Sequence, residues 1–146
     1  MDALKLLRED HEKVKKLLSD IESTTERAVK TRTSELAQLK QELTIHEAIE
    51  EEIFYPALKD HAKTREIAFE AYEEHGVVDD HGGDRADARR DETWIAKFTV
   101  MKENLEHHIE EEEGEMFKQA RQVFDKDTLE ELGERMQARK RSGLAA

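Results

Sequence analysis

Residues 36–57 read LAQLKQELTIHEAIEEEIFYPA, and this stretch decides the fold. Leu36, Leu39 and Leu43 recur at three- and four-residue intervals, the period of an amphipathic helix with one buried face. The next positions in phase are His46 and Glu50, and the apolar stripe then resumes at Ile53 and Ala57. A histidine and a carboxylate one turn apart therefore stand where core residues belong. The spacing predicts a helix from about Glu35 to Asp60, with Pro56 kinking or ending it. Thr31–Ser34 reads as a turn, with Ser34 as the helix cap.

The same substitution recurs along the chain. A helix over about residues 2–28 carries Leu4, Leu7, Val14, Leu17, Leu18 and Ile21, and His11 falls between Leu7 and Val14. A third helix from near Ala62 carries Ile67, Ala68, Ala71, Tyr72 and Val78, with His75 in phase. A fourth, about Asp91 to Phe124, runs Trp94, Phe98, Met101, Leu105, His108, Glu112, Met116. Asp127-Thr128 with Glu130 resembles a capping box for a short fifth helix ending near Arg141, and Gly143–Ala146 reads as a frayed end. The expected fold is all-α, an antiparallel up-down-up-down four-helix bundle over residues 1–124. The fifth helix and tail, residues 125–146, belong to the same domain. Only Asp79–Arg90, DDHGGDRADARR, resists this scheme. Its apolar residues are Ala86 and Ala88, and Gly82-Gly83 breaks helices, so the third helix should stop there or pack poorly.

Four helices thus each turn a histidine inward, and two add a carboxylate. Buried carboxylates without partners cost several kcal/mol each, so their convergence calls for a cation. Imidazole and carboxylate together suit iron, manganese or zinc. One HxxxE pair is weak evidence, because 36 of the 146 residues are acidic. Two such pairs and two further histidines in phase with four separate stripes are stronger. Glu47, Glu51, Glu52, Glu110, Glu111 and Glu113 read as solvated, and His61, His81 and His107 as surface residues. The HExxH pattern of zinc proteases fails, because Glu50 stands where its second histidine belongs. The ExxH pairing of ferritin-like proteins fails as well, since no histidine has Glu three residues before it.

Composition narrows the function. The chain has no Cys, which excludes disulfides, thiolate metal sites and thiol catalysis. A formal charge of −12 argues against non-specific binding to nucleic acid or an anionic membrane. No signal peptide or long apolar run is visible, so the expected location is cytoplasmic. Nothing points to a protein partner.

The stretches LLREDHEKV, HEAIEEEIFYPAL, AYEEH and LEHHIEEEEGEMF, in this order through most of the chain, resemble the hemerythrin-like (HHE cation-binding) domains. The resemblance implies an antiparallel four-helix bundle holding two iron ions joined by an oxo or hydroxo bridge. By position it assigns His11, His46, Glu50, His75, His108 and Glu112 as ligands, with Glu50 and Glu112 bridging. Oxygen-carrying hemerythrins have another histidine four residues after the third-helix ligand, and here that residue is Asp79. Asp79, Glu47 or a water completes the shell, or one iron is under-coordinated. The function expected is binding or sensing of a small molecule, namely oxygen, nitric oxide or peroxide. The alternatives are a di-iron oxidoreductase consuming peroxide or oxygen and a metal-free helical interaction module. No separate acid, base or substrate pocket can be read, which favours binding over catalysis.

Overall fold

Helices succeed one another in the order expected from the stripes. The computed structural model describes residues 1–24, 28–82 and 92–145, with side chains described except at 77–82, 92–93 and 144–145. Helix α1 spans Ala3–Glu22, and α2 spans Val29–Ile49. A π-helical segment, Glu50–Phe54, joins α2 without a break to α3, Tyr55–Lys59. Then come α4, Arg65–Gly82, and α5, Glu92–Glu111. A second π segment, Glu112–Met116, continues α5 into α6, Phe117–Val123, and α7 spans Lys126–Ala145. The arms α1, α2–α3, α4 and α5–α6 form the four-helix bundle, and α7 lies against α1 and α2 as a fifth helix. Among the described residues there is no strand, and no helix is long and apolar enough to cross a membrane.

Local chemistry sets the helix ends. Asp2 caps α1 by accepting from the Lys5 amide at 2.8 Å. At the other end the Ser23 and Thr24 hydroxyls donate to the carbonyls of Asp20 and Ile21 in the last turn, and the Thr24 amide also donates to Ile21. Asp125, rather than the Asp127-Thr128 pair, caps α7: its carboxylate accepts from the Thr128 amide at 2.8 Å.

Three other expectations are corrected. Thr31–Ser34 is not a turn, because α2 already begins at Val29 and Ser34 caps nothing. Its polar first turns are anchored by Arg32, which is buried, stacks 4.1 Å from the Trp94 ring and donates to Thr24. Pro56 neither ends nor breaks its arm. It follows the π turn directly, and the Glu51 carbonyl, five residues before the proline that lacks an N–H, accepts from the Tyr72 hydroxyl at 3.0 Å. The fifth helix does not end near Arg141, because α7 reaches Ala145, and only Ala146 of the expected frayed end lies outside the described residues. Of the Asp79–Arg90 stretch, α4 takes in the part up to Gly82, and the rest of that reading lies outside the described residues.

Two apolar clusters fill the bundle. One joins Leu4, Leu7, Phe54, Tyr55, Leu58, Phe117 and Met136, where α1 meets α3, α6 and α7. The other joins Val14, Leu18, Leu39, Leu43, Phe98, Met101 and Leu105 toward the opposite end. His11 and Glu112 belong to neither and are buried between them. Gly133 lets α7 come close to the start of α1: a Cβ there would collide with the backbone of Met1, Asp2 and Ala3.

Candidate metal centre

All six residues singled out by the stripes are buried, and Glu50 is completely so. They meet in one layer. The Nε2 atoms of His46 and His75 each lie 3.1 Å from Oε1 of Glu50. Glu112 turns Oε1 to His11 Nε2 and Oε2 to His108 Nε2, both at 3.2 Å. Despite these distances, Nε2 of His11, His46 and His108, both oxygens of Glu50 and Oε1 of Glu112 make no hydrogen bond of acceptable direction. Six buried polar atoms without partners in one layer are a costly arrangement unless a cation lies among them.

The donor set fits metal ions. One ligand atom each from His11, His46, Glu50 and Glu112 lies within 4.8 Å of the others, and the same holds for Glu50, His75 and His108. Glu50 is common to both groups, so two adjacent cations could share it. Two nitrogens with carboxylate oxygens are a set that iron, manganese or zinc accepts.

Both carboxylates open a π segment, Glu50–Phe54 and Glu112–Met116. Single π turns inside α-helices recur at functional sites because the wider turn changes the phase of the residues downstream. The Tyr55 amide bonds back to the Glu50 carbonyl across this turn. Beyond Glu50, Ile53 is buried as expected, together with Phe54, Tyr55 and Leu58, while Ala57, also expected on the stripe, is only half-buried. Tyr55 thereby reaches the centre. Its hydroxyl donates to Glu112 Oε2 at 2.9 Å and lies 3.3 Å from His75 Nε2.

A second layer of carboxylates holds the outer nitrogens. His46 Nδ1 pairs with Asp10 at 3.0 Å and His75 Nδ1 with Glu51 at 3.4 Å. His108 Nδ1 pairs with Glu74 at 2.5 Å and His11 Nδ1 with Glu113 at 2.6 Å. Each acid sits one residue from a member of the central set and serves the histidine of a neighbouring arm. Asp10 precedes His11, Glu51 follows Glu50, Glu74 precedes His75, and Glu113 follows Glu112. The four pairs close a ring around the bundle. A carboxylate on Nδ1 fixes the ring and leaves Nε2 free for a cation. The stripe reading missed these acids and Tyr55, and it took Glu51 and Glu113 for solvated residues. The available signal was a carboxylate immediately flanking four of the inward residues, His11, Glu50, His75 and Glu112. Glu52 and Glu111 are exposed as expected, though each is ion-paired, with Arg139 and His107.

The charges are strongly coupled. Burial pushes the His108 imidazole down, but Glu112 and Glu74 outweigh it and lift the group to about 10. His46 and His75 are also raised, with burial opposed chiefly by Glu50 and, for His46, Asp10. Glu112 is held well below the usual carboxylate range, since Glu50, His108 and His11 overcome the effect of burial.

Glu47 is half-buried and joins His11, His46, His75 and His108 around a gap of about 20 Å³, closed by Val14, Leu43, Leu105 and Ile109. A larger cavity of about 150 Å³ reaches His108 and Glu112 from between α4 and α5, past Glu70, Glu74, Glu111 and Glu115. His61 and His107 are exposed, as expected. The side chains of Asp79 and His81 lie outside the described residues.

The sequence profile of the Hemerythrin HHE cation binding domain matches residues 2–120. Among solved structures, the chain is similar to a hemerythrin HHE cation binding domain-containing protein from Mycobacterium kansasii. The two share 30% identity over 99% of this chain and 88% of that one, with a TM-score of 0.84. No match is found among curated proteins.

Proposed function

The chain belongs to the hemerythrin HHE cation-binding family, and from that premise we propose that it holds two iron ions and binds a small uncharged molecule at them. The proposed ligands are His11, His46, Glu50 and Glu112 for one ion and His75, His108 and Glu50 for the other. Glu112 also reaches the second through its other oxygen. The observation that carries this reading is the pair of buried donor groups sharing Glu50, with their inner atoms unpartnered. When bound, such a centre supplies reversible attachment or reduction of oxygen, nitric oxide or peroxide.

The chain's own residues shape what enters. The gap beside the four histidines has room for about one water-sized molecule, and its walls Val14, Leu43, Leu105 and Ile109 offer an incoming ligand no hydrogen bond. That favours a diatomic or peroxide over an organic substrate. Tyr55 supports a second reading, consumption of peroxide. Its hydroxyl can hold or pass a proton at Glu112 Oε2, 2.9 Å away.

The test is anaerobic loading, then iron counting and a visible spectrum before and after nitric oxide or peroxide. About two irons per chain are expected, lost in His46→Ala and His108→Ala and kept in His61→Ala and His107→Ala. One zinc per chain, or equal iron in all four variants, overturns the reading. Reversible nitric oxide binding without peroxide loss supports binding, and steady peroxide loss supports the second reading.

A further inference from the structure

Three of the four outer carboxylates meet water: the side chains of Glu51, Glu74 and Glu113 are 41%, 34% and 25% exposed. Asp10 is different, with a side chain only 4% exposed. A lone carboxylate so enclosed would turn toward water or find a cation. It finds Lys140. One oxygen of Asp10 takes His46 Nδ1 at 3.0 Å, and the other accepts from the Lys140 ammonium, whose side chain is 17% exposed. Lys140 lies on α7, beyond residues 2–120 that the family profile matches. The fifth helix therefore reaches the centre through one chain of contacts, Lys140 to Asp10 to His46.

We infer that Lys140 is a positioning residue of the metal centre, holding Asp10 so that Asp10 holds His46 with its Nε2 free for the cation. The inference rests on the reading of His46 as a ligand. The physical case is geometric. Asp10 stands on α1 and His46 on α2, and nothing in their own backbones fixes the carboxylate plane. Binding both oxygens from opposite sides does. Without Lys140 the second oxygen is left buried and unpaired. The carboxylate then gains by rotating toward the surface groove that Asp10 and Lys140 line with Glu9 and Gln137. A histidine that loses its outer partner loses its fixed tautomer and ring orientation, which typically costs about 10- to 100-fold in metal affinity.

The experiment measures iron(II) affinity of the full chain by anaerobic competition with a chromophoric chelator. Asp10→Asn and Lys140→Met are each expected to weaken binding about tenfold or more, and Lys140→Arg to restore most of the loss. The double variant should bind no worse than Asp10→Asn alone, because Lys140 acts only through Asp10. Arg139→Met, on the same helix with an exposed ion pair to Glu52, should match the unaltered protein. Affinity of Lys140→Met within twofold of the unaltered protein, or tighter, overturns the inference. So does a double variant in which the two losses multiply, since that would make Lys140 a general prop for α7. Retained iron in His46→Ala would instead overturn the metal reading on which this rests.

Discussion

Glu50 and Glu112 hold equivalent places in the bundle: each follows a centre-facing histidine by four residues, and each opens a five-residue π segment. They are not equivalent in what they touch. Glu50 presents a single oxygen, Oε1, to both His46 and His75, whereas Glu112 gives one oxygen to His11 and the other to His108. Among the described residues, only Glu50 belongs to both groups of converging donors.

Iron stoichiometry should track that difference. Glu50→Ala removes a donor common to both groups and is expected to leave close to no iron. His75→Ala damages one group and should leave about one iron per chain. Each loss should also lower the melting temperature of the iron-treated protein, because an ion bound only to the folded state adds ~4 kcal/mol at a thousandfold excess over its Kd. Equal iron in the two variants would show that the donors do not form two groups sharing Glu50.

Val14 stands at the wall of the 20 Å³ gap beside the four histidines. Val14→Phe pushes a ring toward that space and leaves every donor residue unchanged. The expected result is normal iron content, a stability loss of about 1–3 kcal/mol from overpacking, and greatly slowed nitric oxide binding. Stopped-flow mixing of nitric oxide with the reduced, loaded protein checks it. Unchanged binding would mean that small molecules attach elsewhere, with the cavity past Glu70 and Glu115 the next place to look.

Two glycines should respond in opposite directions to alanine. At Gly133 the added methyl collides with the backbone of Met1–Ala3, which cannot move aside as a flexible side chain would. Gly133→Ala should cost about 1–3 kcal/mol and lift α7 from the start of α1. At Gly76 the methyl meets nothing within 4 Å, and the residue lies inside α4 with no positive φ. Gly76→Ala should stabilise by ~0.5–1 kcal/mol through the unfolded chain alone. Denaturant unfolding of both variants decides the matter, and a stabilising Gly133→Ala would rule out the close approach.

The six central residues were legible because each helix keeps its own period, and a histidine or glutamate in phase with leucines must be buried. Contacts between helices were not legible in that way. His46 and Asp10 are on different arms, and no spacing within either helix says which carboxylate will face which imidazole. In a chain where a quarter of the residues are acidic, the flanking acids do not stand out. Tyr55 was hidden for another reason. The period of 3.6 is carried past Ile53 only by assuming a regular helix, and the π turn from Glu50 to Phe54 shifts the residues that follow, so that Tyr55 and Leu58 are buried and Ala57 is not fully so. Thr31–Ser34 misled because an all-polar run looks like a loop, whereas Arg32 buries its guanidinium on Trp94 and needs no apolar neighbours in its own turn.

The coupled charges predict how the metal-free protein responds to pH. An unfolded histidine titrates near ~6.5. In the folded, metal-free chain His108 is lifted to about 10, and His46 and His75 are raised with it. The folded state thus keeps protons that the unfolded state releases, and stability falls as pH rises while this difference lasts. The contribution is complete below ~6.5 and is lost progressively as pH climbs to about 10. Glu112 has the opposite sign. Held well below the ordinary range, it adds stability above ~4.5 that disappears as pH falls through its folded value. The melting temperature of chelator-treated protein should therefore be highest in mildly acidic solution and decline on both sides. Iron binding needs the imidazoles neutral, so loading should release protons, and the loaded protein should lose little between pH ~6.5 and ~10. Melting curves across this range, with calorimetry of iron loading in buffers of different ionisation enthalpy, test both statements. A metal-free melting temperature that stays flat from mildly acidic to alkaline pH would mean that the carboxylates do not charge these histidines.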